Sequence, residues 1–448
     1  MASANVGPTW GGSQHLTTRV VQTLERYLHI EAVSGAVLIV VAVFALLWAN
    51  SPWAHSYHAL WHLPVTFGIG NLAITRTLHF IVNEGLMTIF FLVAGLEIRR
   101  EIHEGALSSI RSAALPIVAA IGGVIAPALI YLSLNWQVNS EGWAVPIATD
   151  IAFALGVLAL LGRSIPSGVR VLLLALAIID DIAAVLVIAL VYSSDLNMTG
   201  AWIAAAAIAL VLLMQRLGIR NAVLYAVPGA LLWFGLFQLG VHPTLAGVIL
   251  GLITPVVPLA RREARDAVPQ DLAQAAQRAL AEGPDQPNIL TSIGKIQLAQ
   301  RDLVPPVVTV QSALHGWVAF GVMPLFALAN AGVSLSGLSF GASADAAVAM
   351  GIMLGLLVGK PLGILLISWI TIRLGWCTLP DDVGWRGMML IAVLGAIGFT
   401  MSIFIAALAF TNESMLANAK LAVLIASGVA AIVALGLGKY LFRSVPMG

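Results

Sequence analysis

The chain carries two adjacent aspartates inside an apolar run that reads Val171-Leu-Leu-Leu-Ala-Leu-Ala-Ile-Ile-Asp180-Asp181-Ile-Ala-Ala-Val-Leu-Val-Ile-Ala-Leu190. A run of this length is sufficient to cross the hydrocarbon core of a bilayer as an α-helix. A charged side chain at the centre of such a helix costs roughly 2.5–3.5 kcal/mol on insertion scales, so residues of this kind commonly mark an ion or proton path. Two in succession therefore predict both a membrane fold and a functional site.

The composition excludes a soluble protein. Of 448 residues, 60% are hydrophobic and 10% are charged, with a mean hydropathy of +0.96. Repeated apolar runs predict an all-α integral membrane protein rather than a β-barrel, whose strands alternate over about 10 residues. A net charge of +1 argues against a nucleic-acid partner. The single cysteine, Cys377, excludes an intrachain disulfide and a cysteine-based metal site.

Apolar runs predict twelve transmembrane helices, near residues 30–50, 78–98, 112–134, 142–162, 168–192, 198–216, 221–239, 242–254, 314–334, 346–372, 386–410 and 417–440. The predicted segments are an N-terminal segment 1–28 without a secretory signal, spans one to eight within 29–254, a long loop 255–313, spans nine to twelve within 314–442, and a C-terminal segment 443–448. The eighth span is short. Thr149 and Asp150 follow Pro146 in the fourth, which makes it a candidate broken helix.

The basic residues predict the orientation. When the 22 Lys and Arg residues are sorted onto alternate sides, and the long loop is left out, 13 fall on one side and 2, Arg76 and Lys420, on the other. Cytoplasmic loops of membrane proteins are enriched in Lys and Arg. Both termini and the long loop are therefore predicted to be cytoplasmic. That loop is either regulatory or, as we prefer, a solvated spacer with a surface helix near 270–282.

Residues 64–75 alternate around Gly68-Ile-Gly70-Asn71, which predicts an extracytoplasmic β-hairpin near 63–76. An exposed hairpin edge can pair with a second copy, so we expect a homodimer through this hairpin. Nearby, a histidine trio alternates with aromatic residues, which favours an interfacial amphipathic segment over a metal site; the histidines are His55, His58 and His62.

We interpret six ionisable residues as buried within predicted spans: Glu84, Glu97, Asp150, Asp180, Asp181 and Lys360. Uncompensated insertion of the last four would cost on the order of 10–14 kcal/mol, so they must be paired, protonated or hydrated. Lys360 is the obvious partner for one carboxylate. Because neighbours on a helix point about 100° apart, Asp180 and Asp181 cannot both face it. One can pair with Lys360 while the other lines a cavity.

Carboxylate and hydroxyl oxygens suit a small hard cation, and Thr149 adds one oxygen beside Asp150. Removal from water, and a second carboxylate nearby, favour the protonated form of an acid. A site that binds either protons or a cation, and that opens to one side at a time, is an antiporter.

An alternative without a transport role is that such residues only form hydrogen bonds between helices. We consider it less favoured for three aspartates and a lysine at similar depths. Glu97 lies at a cytoplasmic end, where a functional role and simple anchoring are equally supported. His242, at a span entrance, is as well explained by capping as by pH sensing.

Several motifs resemble the NhaA family of sodium/proton antiporters. They are Ala148-Thr149-Asp150-Ile-Ala-Phe-Ala-Leu-Gly156, Leu176-Ala-Ile-Ile-Asp180-Asp181-Ile-Ala-Ala184, Gly240-Val-His-Pro-Thr-Leu-Ala-Gly247, Pro324-Leu-Phe-Ala-Leu-Ala-Asn-Ala-Gly-Val333, Gly359-Lys-Pro-Leu-Gly363 and Gly398-Phe-Thr-Met-Ser-Ile-Phe404. The similarity implies an inverted-repeat fold, of which NhaA is a known example, with spans four and eleven broken and crossing at mid-membrane.

The resemblance also implies roles for single residues. Asp150 and Asp181 are expected to bind Na⁺ and protons, with Asp180 paired to Lys360 and Thr149 as a neighbouring ligand. Asp150 and Lys360 would offset the facing dipoles of the broken helices. The expected pH-response residues are Glu97, Arg100 and Glu101, to which we add Glu84 and His242 as candidates.

Two features depart from the family pattern. Glu84 follows Asn83 where an aspartate is expected, and the loop between spans eight and nine is longer than expected. The first leaves the role of Glu84 open, and the second puts any pH response through that loop in doubt.

The expected activity is electrogenic exchange of Na⁺ or Li⁺ for protons across a bacterial inner membrane, in pH and sodium homeostasis, with no cofactor beyond the transported ions. Each net charge that crosses yields roughly 2.3 kcal/mol per 100 mV. A sodium-coupled symporter of organic acids would need an additional buried arginine or polar cluster, an intramembrane protease would need facing catalytic groups, and a channel would need a recognisable filter. The sequence shows none of these patterns.

Overall fold

A computed structural model describes residues 33–69, 72–105, 107–193, 197–219, 221–257, 304–334, 344–380 and 382–442. The predicted segments 1–28 and 443–448, and the surface helix predicted near 270–282, lie outside these residues. Most of the predicted long loop lies outside them as well.

The described chain is built from helices, which we number in chain order. They are α1 Val33–Ala49, α2 Ala54–Trp61, α3 Leu78–Glu104, α4 Ile110–Asn135, α5 Ile151–Leu160, α6 Ser167–Val191, α7 Met198–Arg216, α8 Ala226–Leu239, α9 Leu245–Ile253, α10 Pro306–Asn330, α11 Ala344–Arg373, α12 Gly384–Gly395, α13 Phe399–Ala409 and α14 Glu413–Leu441. A 3-10 helix, Ser140–Ile147, precedes α5. Single π-helical turns interrupt α3, α10 and α11.

Within the described residues, nine helices are long and apolar enough to cross a membrane, or up to eleven if each of two bent pairs is one span. The bent pairs are α1 with α2, at 113°, and α12 with α13, at 42°. Helix α9 is short, as the sequence predicts for the eighth span. Helix α10 begins at Pro306, inside the segment predicted as loop, because a proline is well tolerated in the first turn of a helix.

The predicted β-hairpin is present. Strand β1, Pro64–Ile69, pairs antiparallel with β2, Leu72–Thr77, from the pair Pro64 and Thr77 to the pair Ile69 and Leu72. The hairpin leads directly into α3, where Thr77 accepts a hydrogen bond from the Phe80 N–H and caps the helix.

The helices pack as two groups. In the first group α3 lies against α9 and α10, and α7 and α8 pack on each other. In the second group α4 lies against α11 and α6, and α14 packs on α11, α12 and α13. The contacts between the groups are smaller and are made mainly by α3 with α6 and by α10 with α13. This boundary positions the site described below.

Helices α4 and α11 approach each other through glycines. A Cβ atom added to Gly363 would clash with the carbonyl oxygen of Gly122, and one added to Gly122 would clash with the carbonyl oxygen of Gly363. Small residues that allow backbones to approach closely are typical of packing between membrane helices.

We therefore expect Gly363→Ala to destabilise the protein, because neither backbone can move aside without separating two long helices. The loss should be about 1–3 kcal/mol, as for other overpacked contacts, and should appear as a lower Tm of the detergent-solubilised protein. Gly428→Ala on α14 is the matched control, since no atom lies within contact distance of its added Cβ. Equal Tm losses in both variants would contradict this packing argument.

Candidate functional site

Two chain breaks meet at the centre of the second helix group. The first lies between Ile147 and α5, where Ala148 and Asp150 adopt extended conformations after the turn that contains Pro146. The second lies at residues 396–398, between α12 and α13. The Asp150 N–H donates to the carbonyl oxygen of Ile397 at 2.7 Å, so the two breaks are hydrogen-bonded to each other.

Asp150 caps helix α5 and also contacts the start of helix α13. Its Oδ1 accepts from the Phe153 N–H at 2.9 Å, while Oδ2 accepts from the Thr400 N–H at 3.1 Å and from the Thr400 hydroxyl. Helix N-termini carry partial positive charge. The Asp150 carboxylate, only 1% exposed, is thus stabilised as an anion by two helix ends.

The two facing C-terminal ends are also compensated. Lys360 Nζ donates to the carbonyl oxygen of Ile147 at 2.5 Å, and Thr149 Oγ1 lies 3.0 Å from that of Gly395, a second acceptor within reach of its single proton. A cation is favoured at the negative end of a helix. A π-helical turn, Gly355–Gly359, directly precedes Lys360, and such turns are frequent at functional sites.

Asp180 faces Lys360. Its Oδ2 lies 2.9 Å from Lys360 Nζ and accepts the Thr149 hydroxyl at 2.7 Å. All three side chains are at most 1% exposed. Asp180 and Lys360 form a buried ion pair, and Thr149 is a neutral hydrogen-bond donor to it. Removing one member of the ion pair would leave the other as a buried charge without its partner.

Asp181 faces a different environment. Its side chain is 5% exposed, and within the described part of the chain its buried Oδ1 has no hydrogen-bond partner. It lines a cavity of about 80 Å³ together with Asp150. Buried polar atoms are nearly always paired, so an unpaired carboxylate oxygen on a cavity indicates a position for a proton, an ion or water.

The cavity lies at the boundary of the two helix groups. Of its lining residues, Asp150 and Asp181 belong to the second helix group, whereas Glu97 of α3 and His315 of α10 belong to the first. Thr149, Asp180 and Lys360 are not among its described lining residues. The structure therefore separates the predicted site residues into a cavity pair and a buried ion-pair cluster.

The predicted pH-response residues occur in two places. Glu97 lines the cavity, with Arg100 and Glu101 following on α3. Glu84 lies about 20 Å from Glu97 along the helix, at about 1.5 Å per residue, and its Oε2 is 3.8 Å from His242 Nδ1. The structure thus brings Glu84 and His242 together and places them apart from the cavity.

Sequence reasoning missed Thr400 and His315. Thr400 stands inside a quoted motif, two residues after Gly398, where a hydroxyl beside a chain break could have been recognised as a donor. His315 carries no comparable signal, because only the packing of α10 against α3 brings it to the cavity.

We expect Thr400→Val to weaken ion binding by about tenfold or more, because it removes the hydroxyl hydrogen bond to Asp150 without changing side-chain shape, and charged hydrogen bonds contribute about 1.5–3 kcal/mol. The measurement is the apparent KM for Na⁺ in reconstituted vesicles. Thr371→Val is the control, since that buried hydroxyl donates to carbonyl oxygens of its own helix. An unchanged KM in Thr400→Val would contradict the assigned contact.

Comparisons with known proteins identify the family. The family model described as Na⁺/H⁺ antiporter 1 matches residues 25–437. A curated Na⁺/H⁺ antiporter NhaA 2 of Pseudomonas putida is 55% identical over 96% of both chains. The chain belongs to the NhaA family of Na⁺/H⁺ antiporters. A Na⁺/H⁺ antiporter NhaA of Cupriavidus necator is 56% identical over 95% of this chain and 92% of its own.

Membership in the NhaA family makes this multi-pass membrane protein a transporter rather than an enzyme. NhaA antiporters use transported ions and no cofactor. A Na⁺/H⁺ antiporter NhaA 2 of Sorangium cellulosum is 49% identical over 98% of this chain and 94% of its own.

Proposed function

We propose that this NhaA protein exchanges Na⁺ or Li⁺ for protons, electrogenically, through a site formed by Asp150 and Asp181. The observation that carries the proposal is the unpaired Oδ1 of Asp181 on the cavity that Asp150 also lines. A carboxylate offers about four acceptor positions, of which Asp150 already uses three. Asp181 is therefore the principal ion ligand and Asp150 supplies a further contact.

Exchange follows from competition. When Asp150 and Asp181 are protonated they offer little charge to a cation, and when Na⁺ is bound they cannot keep their protons. Two carboxylates that release two protons for one Na⁺ move one net charge per cycle. This count supports the electrogenic stoichiometry, and the membrane potential then drives the exchange.

The packing supports alternating access. The carboxylates belong to one helix group, and Glu97 and His315 belong to the other, so relative movement of the groups would expose the same site to opposite sides. We propose the family's inverted-repeat arrangement of twelve spans, in which the breaks beside Asp150 and Ile397 cross at mid-membrane. We also propose that both termini and the 255–313 loop lie in the cytoplasm of a bacterial inner-membrane protein, an orientation that the distribution of Lys and Arg supports.

The remaining predicted residues have supporting roles in this proposal. Asp180 and Lys360, with Thr149, hold the chain breaks together, so these three act on transport by positioning Asp150 and Asp181. Glu97 with Arg100 and Glu101, and separately Glu84 with His242, are the pH-response candidates. The outer edge of the hairpin at 63–76 is the proposed homodimer contact.

The test is recovery of a preformed proton gradient in everted vesicles after addition of NaCl, LiCl or KCl, across neutral to alkaline pH. We expect recovery with Na⁺ and Li⁺, and a rate that falls when the inside-positive potential, which drives the net outward movement of charge, is collapsed by a permeant anion. A response that requires an organic acid would instead support a sodium-coupled symporter. No response to Na⁺ or Li⁺ at any pH would refute the proposal.

A further inference from the structure

A second polar cluster joins three helices and has no role in the ion chemistry proposed above. Lys420 Nζ of α14 donates to Asn330 Oδ1, at the end of α10, at 3.2 Å. Asn330 Nδ2 donates to Asn83 Oδ1 of α3 at 2.8 Å, and His79 Nε2 lies 3.3 Å from Asn330 Oδ1. Hydrogen bonds with a charged partner are among the stronger ones in proteins.

The cluster lies at the opposite end of the molecule from Glu97. Along α3, Asn83 precedes Glu97 by 14 residues, and along α10, Asn330 follows His315 by 15 residues. At about 1.5 Å per residue, both separations are about 20 Å. Because the two helices run antiparallel, Asn83 and Asn330 both lie toward the same end of the molecule. Glu97 and His315 therefore mark one end of the cavity. The cluster of Lys420, Asn330, Asn83 and His79 lies beyond the opposite end of the cavity.

Three aromatic rings lie between the cavity and the cluster. Phe404 of α13 packs against Phe91 of α3, with ring centroids 5.3 Å apart, and against Phe326 of α10 at 6.2 Å. All three are at most 1% exposed. We call these three rings the seal, because they close the cavity on the side of the cluster. Phe91 and Phe326 belong to one helix group and Phe404 to the other, so the seal can open only if the groups move apart.

The hydrogen bond of Lys420 crosses the same boundary. Helix α14 packs on α11, α12 and α13 of the carboxylate-bearing group, whereas Asn330 ends α10 of the other group. We propose that the Lys420–Asn330 hydrogen bond is a latch that stabilises the arrangement in which the cavity extends toward Glu97 and is sealed at the other end. The latch breaks when Asp150 and Asp181 become accessible from that other end.

This inference rests on the alternating access proposed above. When an interaction is present in only one of two conformations, its loss lowers the free-energy preference for that conformation by the full free energy of the interaction. Removing the latch should therefore raise the population of the alternative conformation by about tenfold or more, as expected for a hydrogen bond to a charged group. The dominant conformation changes little in amount, so the sensitive quantity is access from the Lys420 side.

The experiment uses the full chain with Cys377→Ser and a reporter cysteine, Ala152→Cys, on the cavity wall. A membrane-impermeant maleimide is applied from each side of the membrane. We expect Lys420→Met and Lys420→Gln to raise labelling from the Lys420 side by about tenfold or more. Lys420→Arg, which keeps the charge, should retain the original pattern, as should Lys439→Met at the exposed end of the same helix.

The outcomes separate the latch from the exchange activity. If Na⁺/H⁺ exchange persists in the reporter background but neither Lys420→Met nor Lys420→Gln changes labelling from the Lys420 side, the latch is overturned and the proposed function stands. If the unmodified chain shows no exchange, the proposed function fails first. A purely structural role of Lys420 would lower protein yield and alter labelling from both sides, and that result also overturns the latch.

Discussion

Asp181→Asn is expected to abolish Na⁺-dependent proton movement while leaving the protein folded. The substitution keeps the size of the side chain but removes the charge that attracts a cation and the group that carries a proton. Loss of a charged contact of about 3 kcal/mol corresponds to more than about 100-fold in affinity. Because Asp181 Oδ1 has no hydrogen-bond partner among the described residues, the amide disturbs no bond of that atom.

The measurement is the rate of Na⁺-driven recovery of a proton gradient, normalised to the amount of protein in the vesicles. Glu413→Gln is the matched control, since Glu413 is an exposed acid in the first turn of α14. Its removal should leave exchange within about twofold, as for surface substitutions of about 0.5 kcal/mol or less. Exchange at wild-type rate in Asp181→Asn would exclude Asp181 as the ion ligand.

Thermal stability separates a lost site from a lost fold. An uncompensated buried carboxylate is unfavourable, so Asp181→Asn should keep or raise the Tm of the solubilised protein. An inactive variant with a clearly lower Tm would contradict this expectation. It would show that Asp181 holds the structure together rather than binding the transported ion.

Sequence alone predicted the membrane class, the short α9, the β-hairpin and the broken segment beside Asp150. These predictions depend on local signals: apolar length, alternation around glycine, and a proline followed by polar residues. The structure describes nine to eleven helices that meet the length criterion, against twelve predicted runs. The difference comes partly from α9, whose nine residues are shorter than a full span.

The sequence could not decide which of Asp180 and Asp181 contacts Lys360. Helix geometry requires that they diverge by about 100°, but the rotation of α6 about its axis depends on how it packs against α4 and α12. The resemblance to the NhaA family assigned Asp180 to Lys360, and the 2.9 Å contact agrees with that assignment. The contact of Asp150 with Thr400 was also beyond sequence reasoning, because 250 residues separate the two.

Lys360→Met is expected to destabilise the protein strongly, because it leaves Asp180 as a buried carboxylate without its cation. Removing one partner of a buried ion pair costs about 3–5 kcal/mol, whereas replacing both partners is often close to neutral. The double variant Asp180→Asn/Lys360→Met should therefore recover most of the Tm lost in Lys360→Met. Recovery is incomplete, because the carbonyl oxygen of Ile147 loses the donor that Lys360 provides.

The same pair of variants decides whether Lys360 stabilises the fold or carries protons. Asparagine at position 180 still accepts the Thr149 hydroxyl, so the arrangement of the chain breaks should persist in the double variant. With Asp150 and Asp181 unchanged, it should retain Na⁺/H⁺ exchange in reconstituted vesicles, and Lys439→Met at the exposed end of α14 should match wild type in both assays. If the double variant regains its Tm but shows no exchange, Lys360 or Asp180 takes part in transport directly, because a recovered fold with intact Asp150 and Asp181 leaves no structural cause for the loss.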